Sequence, residues 1–302
     1  MVHAPLPNPE AKWEPPAAAR VVTALDIEQR IGAFEGEFTL LEGGLSNLNV
    51  LVDGRSLRIY RREVNALHLE AALLRQPWSS FRVPKLLSSG EDFLLLEHVT
   101  HGPLLGSAEH GAAVGTALAE IHGRSFARAG LLGPELAVTG PFEDLVSALT
   151  EYASSNLERI PTGLDVALAE RMLRALTDNA AALREVVGPP VLLHADFKIS
   201  NLHWTPEQQL LVLDWEFAYA GSHLSDIGQL LRWRPPGEFV AAFAHSYVNA
   251  GGALCADFEK WACLLDFVNL AGLLANLPWS ESASRRLGDV QARIEETLTS
   301  WA

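Results

Sequence analysis

The residues best suited to chemistry lie between His194 and Asp214. An apolar run, Val191-Leu192-Leu193, leads into the polar loop His194-Ala195-Asp196-Phe197-Lys198-Ile199-Ser200-Asn201. A second apolar run, Leu210-Leu211-Val212-Leu213, ends in Asp214-Trp215-Glu216. Read as strands, residues 191–193 and 210–213 are expected to pair as neighbours and to deliver Asp196, Asn201 and Asp214 to one end of a ribbon. That set suits phosphoryl transfer from a magnesium-bound nucleoside triphosphate. One carboxylate orients an attacking hydroxyl and takes its proton, while the other, with the amide oxygen, holds the metal against the phosphates. Magnesium keeps several of its waters, so two protein ligands suffice. The ten histidines show no metal-ligand spacing, and the chain has no nucleophile-elbow motif.

Positioning these groups requires a framework, and the periodicity supplies one. Residues 37–42, 49–53 and 56–60 are short β-prone runs, the last two joined by Asp53-Gly54, a two-residue hairpin signal. From residue 63 to 75 the period becomes helical, with Leu67, Ala71 and Leu74 on one face. Residues 93–97 read as a further buried strand. After His101-Gly102-Pro103 the chain turns helical. Helices are expected near residues 114–123, 141–159, 165–187, 223–233, 238–249, 257–277 and 284–301, with no internal repeat.

Composition narrows the function. The net charge of −14 argues against a nucleic-acid partner, which needs a basic surface. The acid is concentrated after residue 100, where 24 acidic residues face 13 basic ones; such a field favours a cationic ligand, or simply keeps the protein soluble. No apolar run is long enough to span a membrane. Residues 1–21, rich in proline, lack the pattern of a signal peptide and read as a flexible leader. The only cysteines, Cys255 and Cys263, suit a reducing compartment, so a cytoplasmic location is expected.

The pattern His-x-Asp-x-x-x-x-Asn at residues 194–201, followed by Asp214-Trp215-Glu216, resembles the aminoglycoside phosphotransferase family, small-molecule kinases with the two-lobed protein-kinase fold. The resemblance runs from residue 38 to residue 233. It implies an α+β architecture: an antiparallel-sheet lobe over residues 22–99 and a larger helical lobe over residues 100–302. It also implies ATP or GTP as phosphoryl donor, Mg2+ as cofactor, and a small-molecule hydroxyl as acceptor, on an antibiotic or on a metabolite.

Residue by residue, the resemblance makes Asp196 the catalytic aspartate and makes Asn201 and Asp214 magnesium ligands. His194 looks structural, and Asp226 matches an aspartate that braces the catalytic loop from a helix start. Lys198 resembles a loop lysine that contacts the γ-phosphate, or is a surface residue. Glu216 either braces the metal ligand or caps its strand. Gly43-Gly44-Leu45-Ser46-Asn47 resembles the loop that covers the nucleotide, with Gly44, Ser46 and Asn47 against phosphate. Arg58 matches a phosphate-contacting lysine and Glu70 its ion-pair partner; arginine is a departure from the protein-kinase pattern and alters the contact. Backbone groups at Glu97 and Val99 are implied to meet the nucleobase. Late helices help to form the acceptor pocket in this family, which makes Asp266 and Asn269 acceptor candidates, unless their stripe faces water. Two other readings stand beside this one, a protein kinase and a nucleotide-binding regulator. Asp-Trp-Glu in place of Asp-Phe-Gly, and the lack of Ala-Pro-Glu, count against the first.

Overall fold

Alternating apolar residues and one Asp-Gly turn build the first sheet. The computed structural model describes residues 3–13, 22–41, 47–61, 64–159, 166–275 and 281–301. Helix α1 (Ala24–Ile31) starts at a reciprocal capping box between Thr23 and Asp26. Strands β1 (Phe38–Leu40), β2 (Leu48–Val52) and β3 (Arg55–Ile59) follow. Between the last two, Asp53 and Gly54 take φ values of 47° and 69°, as the expected hairpin requires. Helix α2 (Val64–Leu74) precedes β4 (Leu86–Ser89) and β5 (Phe93–Glu97). The sheet is antiparallel, in the order β1-β2-β3-β5-β4. Phe93 and Leu95 pack with Ile27, Val50 and Leu57 in a small outer core, whereas Leu94 and Leu96 join the main core. Burial on both faces explains why β5 reads as an unbroken apolar run.

The remainder is mostly helical. After β6 (Gly102–Pro103) come α3 (Ala108–His122), the hairpin β7 (Gly130–Leu132) and β8 (Val138–Pro141), then α4 (Leu145–Leu157), α5 (Val166–Asp178) and α6 (Ala180–Val186). Short strands β9 (Val191–Leu193), β10 (Leu202–Trp204), β11 (Leu210–Val212) and β12 (Tyr219–Gly221) carry the polar loop. Helices α7 (His223–Leu231), α8 (Gly237–Asn249), α9 (Phe258–Leu265), α10 (Phe267–Ala275) and α11 (Glu281–Trp301) complete the order. Two small sheets, β11-β10-β6 and β8-β7-β12-β9, lie among these helices. Glycines set two of the closest helix contacts. A Cβ on Gly111 or Gly115 of α3 would stand 2.3 Å from the carbonyl oxygens of Phe239 and Phe243 on α8, and one on Gly228 of α7 would stand 2.2 Å from that of Ala262 on α9.

The structure corrects several expectations. The strands at 191–193 and 210–213 do not pair with each other: β9 pairs with β12, and β11 pairs with β10 across the turn between them. The expected helices 165–187 and 257–277 are each interrupted, at Asn179 and at Asp266. Strands of two to four residues, among them β6, β7, β8 and β12, escaped notice because periodicity needs a longer window. The start of the supposed flexible leader is docked: Leu6 and Trp13 are buried, and the Leu6 amide donates to the Leu104 carbonyl at 3.0 Å. Among the described residues, no helix is long and apolar enough to cross a membrane.

Candidate active site

The polar loop is held by a hairpin below it and by a helix start behind it. In the β10–β11 hairpin Leu202 faces Val212, and the Leu213 amide donates to the Asn201 carbonyl at 3.0 Å. Asn201 and Asp214 therefore leave the same end of a local hairpin. Asn201 Nδ2 donates to the Asp196 carbonyl at 2.9 Å and to Asp196 Oδ2 at 2.8 Å. This fixes the Asp196 carboxylate and leaves the Asn201 amide oxygen as the donor for a cation. Ala195 and Asp214 both have left-handed backbones, with φ of 62° and 68°. Such conformations in residues other than glycine cost about 1–3 kcal/mol each and persist where the surroundings enforce them.

His194 is part of that enforcement. Its Nε2 contacts the Leu213 carbonyl at 2.9 Å, and its Nδ1 accepts from the Asp196 amide at 3.2 Å. Burial lowers its pKa and keeps the ring neutral, so the two contacts assign the proton to Nε2. Neither nitrogen is left for a substrate. Asp226, fully buried at the start of α7, accepts from the amides of His194 and Ala195, both at 2.8 Å. Gln229, three residues on and thus on the same helix face, accepts from the Phe197 amide at 2.6 Å and donates to the Ala195 carbonyl at 2.8 Å. Behind Asp226 stand His122 Nε2 at 3.2 Å and, bonded to His122 Nδ1 at 2.8 Å, the Tyr247 hydroxyl. Sequence reasoning missed Gln229, His122 and Tyr247. The i, i+3 spacing could have found Gln229, whereas the other two are brought in only by the tight α3–α8 contact.

The sheet contributes a cluster of opposite charges. Arg58 on β3 pairs with Asp214, lies 3.4 Å from Glu70 Oε2 on α2 through Nε, and lies 3.4 Å from Glu216 Oε2 through Nη2. Glu70 also accepts from the Tyr60 hydroxyl, and Glu216 from the Asn47 amide. Burial opposes ionisation of Asp214, but Arg58 outweighs it and holds that carboxyl below its usual range. Glu216 is pushed up to about 7, first by burial and then by Asp214. Arg58 and Glu70 thus meet as expected, yet in this structure the guanidinium faces the carboxylates. Arg58→Met should lower stability by about 3–5 kcal/mol, because it leaves three clustered, largely buried carboxylates without their countercharge. Chemical denaturation would measure the loss, and an unchanged midpoint would refute it.

Two further groups fit or constrain the expected chemistry. Asn201 and Asp214 offer only oxygen donors, which fits Mg2+ sharing its shell with phosphate oxygens and water. Among the described residues no cluster of three or more His, Cys, Asp or Glu is placed to hold a metal unaided. Gly44 and Ser46 lie outside the described residues. The Glu97 amide donates to the Lys85 carbonyl at 2.9 Å and its side chain pairs with Arg82; Val99 is buried.

The acceptor side differs most from expectation. Lys198 Nζ is 3.1 Å from Asp196 Oδ1 and 3.4 Å from Glu10 Oε2. Glu10 in turn meets Arg232, and Arg232 holds both oxygens of Asp266 at 2.7 and 2.8 Å. Lys198 is therefore no solvated surface residue. Asp266 is only 2% exposed, and Asn269 donates to it at 3.2 Å. Asp266 therefore faces neither water nor an open acceptor pocket, because Gly228 lets α7 approach α9 closely enough for Arg232 to reach it. The charges linked to Asp196 alternate in sign, so the acidic surplus of the chain is not gathered there.

Residues 37–264 match the model of the phosphotransferase enzyme family, APH. No curated protein matches the sequence. Among solved structures, the chain is similar to a thermostable mutant of aminoglycoside phosphotransferase APH(4)-Ia in a ternary complex with ADP and hygromycin B, with a TM-score of 0.63 at 16% identity, covering 88% of this chain and 94% of that one. It is similar to macrolide 2'-phosphotransferase MphH from Brachybacterium faecium, with a TM-score of 0.61 at 20% identity over 82% and 90% of the two chains. It is similar also to a choline/ethanolamine kinase family protein from Mesorhizobium loti, with a TM-score of 0.62 at 18% identity over 87% and 88%. At such identities the likeness concerns the fold, which is the two-lobed kinase-like architecture expected from the sequence.

Proposed function

The chain belongs to the phosphotransferase enzyme family and is a small-molecule kinase, and from that premise we propose that it moves the γ-phosphoryl group of magnesium-bound ATP to a hydroxyl of its acceptor. The observation that carries this reading is the joint anchoring of Asp196, Asn201 and Asp214 by one side-chain amide and one hairpin. Asp196, held by Asn201 on one oxygen, orients the acceptor hydroxyl in line with the phosphorus and takes its proton as the new O–P bond forms. Lys198, kept charged by Asp196 and Glu10 against the effect of burial, stands ready to neutralise the oxygens of the transferring group, and Arg58 would join it on turning from Asp214. Asn201 and Asp214 would hold Mg2+, which neutralises phosphate charge when bound. His194 and Asp226 keep the loop in shape and exchange no proton with substrate.

The nucleotide in the ADP complex of the APH(4)-Ia mutant supports ATP as donor. The named activities of the similar structures span aminoglycosides, macrolides and choline-like alcohols, which supports a small hydroxylated acceptor from antibiotic or metabolic chemistry. A coupled ADP-release screen over aminoglycosides, macrolides, peptide antibiotics, amino sugars, choline-like amines and homoserine tests the reading. At least one acceptor should raise ADP release well above hydrolysis by water. A magnesium–ATP thermal shift with no stimulation by any acceptor would favour a nucleotide-binding regulator instead.

A further inference from the structure

Glu10 lies outside the family-matched residues 37–264, yet its carboxylate is embedded beside the catalytic loop. It sits on a short 3-10 turn, Pro9–Lys12, between two anchors. Upstream, Leu6 is buried, and the Gly106 amide donates to the Ala4 carbonyl at 2.9 Å. Downstream, Trp13 packs edge-on against Trp233 at 5.8 Å, lies 5.2 Å from the Arg286 guanidinium, and donates to Asp289 at 2.9 Å. Between these anchors, Glu10 Oε1 accepts from Arg232 Nη1 and Trp233 Nε1, both at 3.0 Å, while Oε2 faces Lys198 Nζ at 3.4 Å. Burial disfavours its charge, but Lys198 and Arg232 prevail and lower its pKa to about 2. Its two cationic neighbours thus favour the carboxylate form.

A lysine ammonium is a point charge on a flexible four-carbon stem. Lys198 Nζ stands 3.1 Å from Asp196 Oδ1, the oxygen that Asn201 leaves free; paired with Asp196 alone, it would have no second anion to draw it off that oxygen or to keep it from swinging away from the phosphate. A second, immobile carboxylate on its other side holds the ammonium between the two acids. We propose that Glu10 is a positioning residue of the phosphotransfer site: the N-terminal segment supplies a fixed carboxylate that holds Lys198 where charge develops on the transferring phosphoryl group. The row Asp266–Arg232–Glu10–Lys198–Asp196, alternating in sign, ties that carboxylate to the junction of α9 and α10. The inference rests on the phosphotransfer reading above and goes beyond it, because it makes a residue outside the family-matched range part of the working site.

The test is a double-mutant cycle of Glu10→Gln and Lys198→Met with two readouts. Glutamine keeps the volume of Glu10 and one oxygen for Arg232 and Trp233, and Glu10→Asp, which keeps the charge, is a second variant should the first fold poorly. With MgATP and water as acceptor, E10Q should lower kcat by about 10–100-fold, as loss of a supporting partner does, with KM for MgATP within about twofold. In the K198M background, E10Q should add little to the loss of kcat. In thermal denaturation the two substitutions should likewise be less than additive. Equal effects of E10Q on kcat in both backgrounds would overturn the proposal in favour of a purely structural role, and additive changes in Tm would overturn it by showing that Glu10 and Lys198 do not interact. A rise in activity on removing Glu10 would overturn it in favour of a segment that blocks the site. Wild-type protein that couples no ADP release to water or to any acceptor, while the stability cycle remains non-additive, would instead overturn the phosphotransfer reading itself.

Discussion

Asp196→Asn is expected to lower phosphotransfer by about 10²–10⁴-fold at saturating MgATP, the range attributed to a positioned general base. The substitution keeps an oxygen that can accept from Asn201 Nδ2, so the loop has no reason to move. What it removes is the negative charge that attracts the acceptor's proton and balances Lys198 at 3.1 Å. Asn201 and Asp214, the proposed metal ligands, are untouched. The thermal shift produced by MgATP should therefore persist, and KM for MgATP should change far less than kcat. Steady-state kinetics of ADP release, run alongside thermal shift, separates the two quantities. A variant that retained most of the wild-type rate would show that another group accepts the proton. A variant that lost MgATP binding would show that Asp196 helps to hold the nucleotide.

Asp226→Ala should damage both stability and activity, for a different reason. Asp226 is fully buried and accepts from two consecutive loop amides and from His122. Alanine leaves these donors without a partner, at about 1–3 kcal/mol for each buried group. A loss of several kcal/mol corresponds to a fall in Tm on the order of 10 °C for a chain of this size. The kinetic effect arises through geometry. Ala195 is held in a left-handed conformation directly before Asp196, and the Asp226 bond to its amide is one of the contacts that hold it there. A displacement of about 1 Å in a reacting group can cost a further 10²-fold in rate. D226A is thus expected to lower kcat at temperatures where it is still folded, whereas D196N should lower kcat with a smaller fall in Tm, because Glu10 still balances Lys198. If D226A lost stability but kept its kcat, the loop would be fixed by Gln229 and His194 alone.

The contrast between these two residues marks the division between sequence and structure. Sequence alone determined the local objects. The hairpin turn at Asp53-Gly54, the apolar run of β5 and the acid after β11 depend on neighbours a few residues away, and the loop from His194 to Asn201 is recognisable from its own residue types and spacing. That holds for Asn201 and Asp214 even though the expected strand pairing was wrong, because the true hairpin, residues 202–212, is itself local. Asp226 and Glu70 were singled out only through the resemblance to a family, each on a helix that the periodicity marks. Only the tertiary structure decided the rest. Arg232 meets Glu10 across 222 residues of sequence, and His122 meets Asp226 across 104; no spacing rule reaches so far. Whether a charged residue serves as a ligand, a surface group or a buried counterion depends on which charges packing brings beside it. That is why Asp266 read as an acceptor candidate and proved to be the partner of Arg232, and why Glu10, in a segment that read as a flexible leader, proved to lie against Lys198 of the loop from His194 to Asn201.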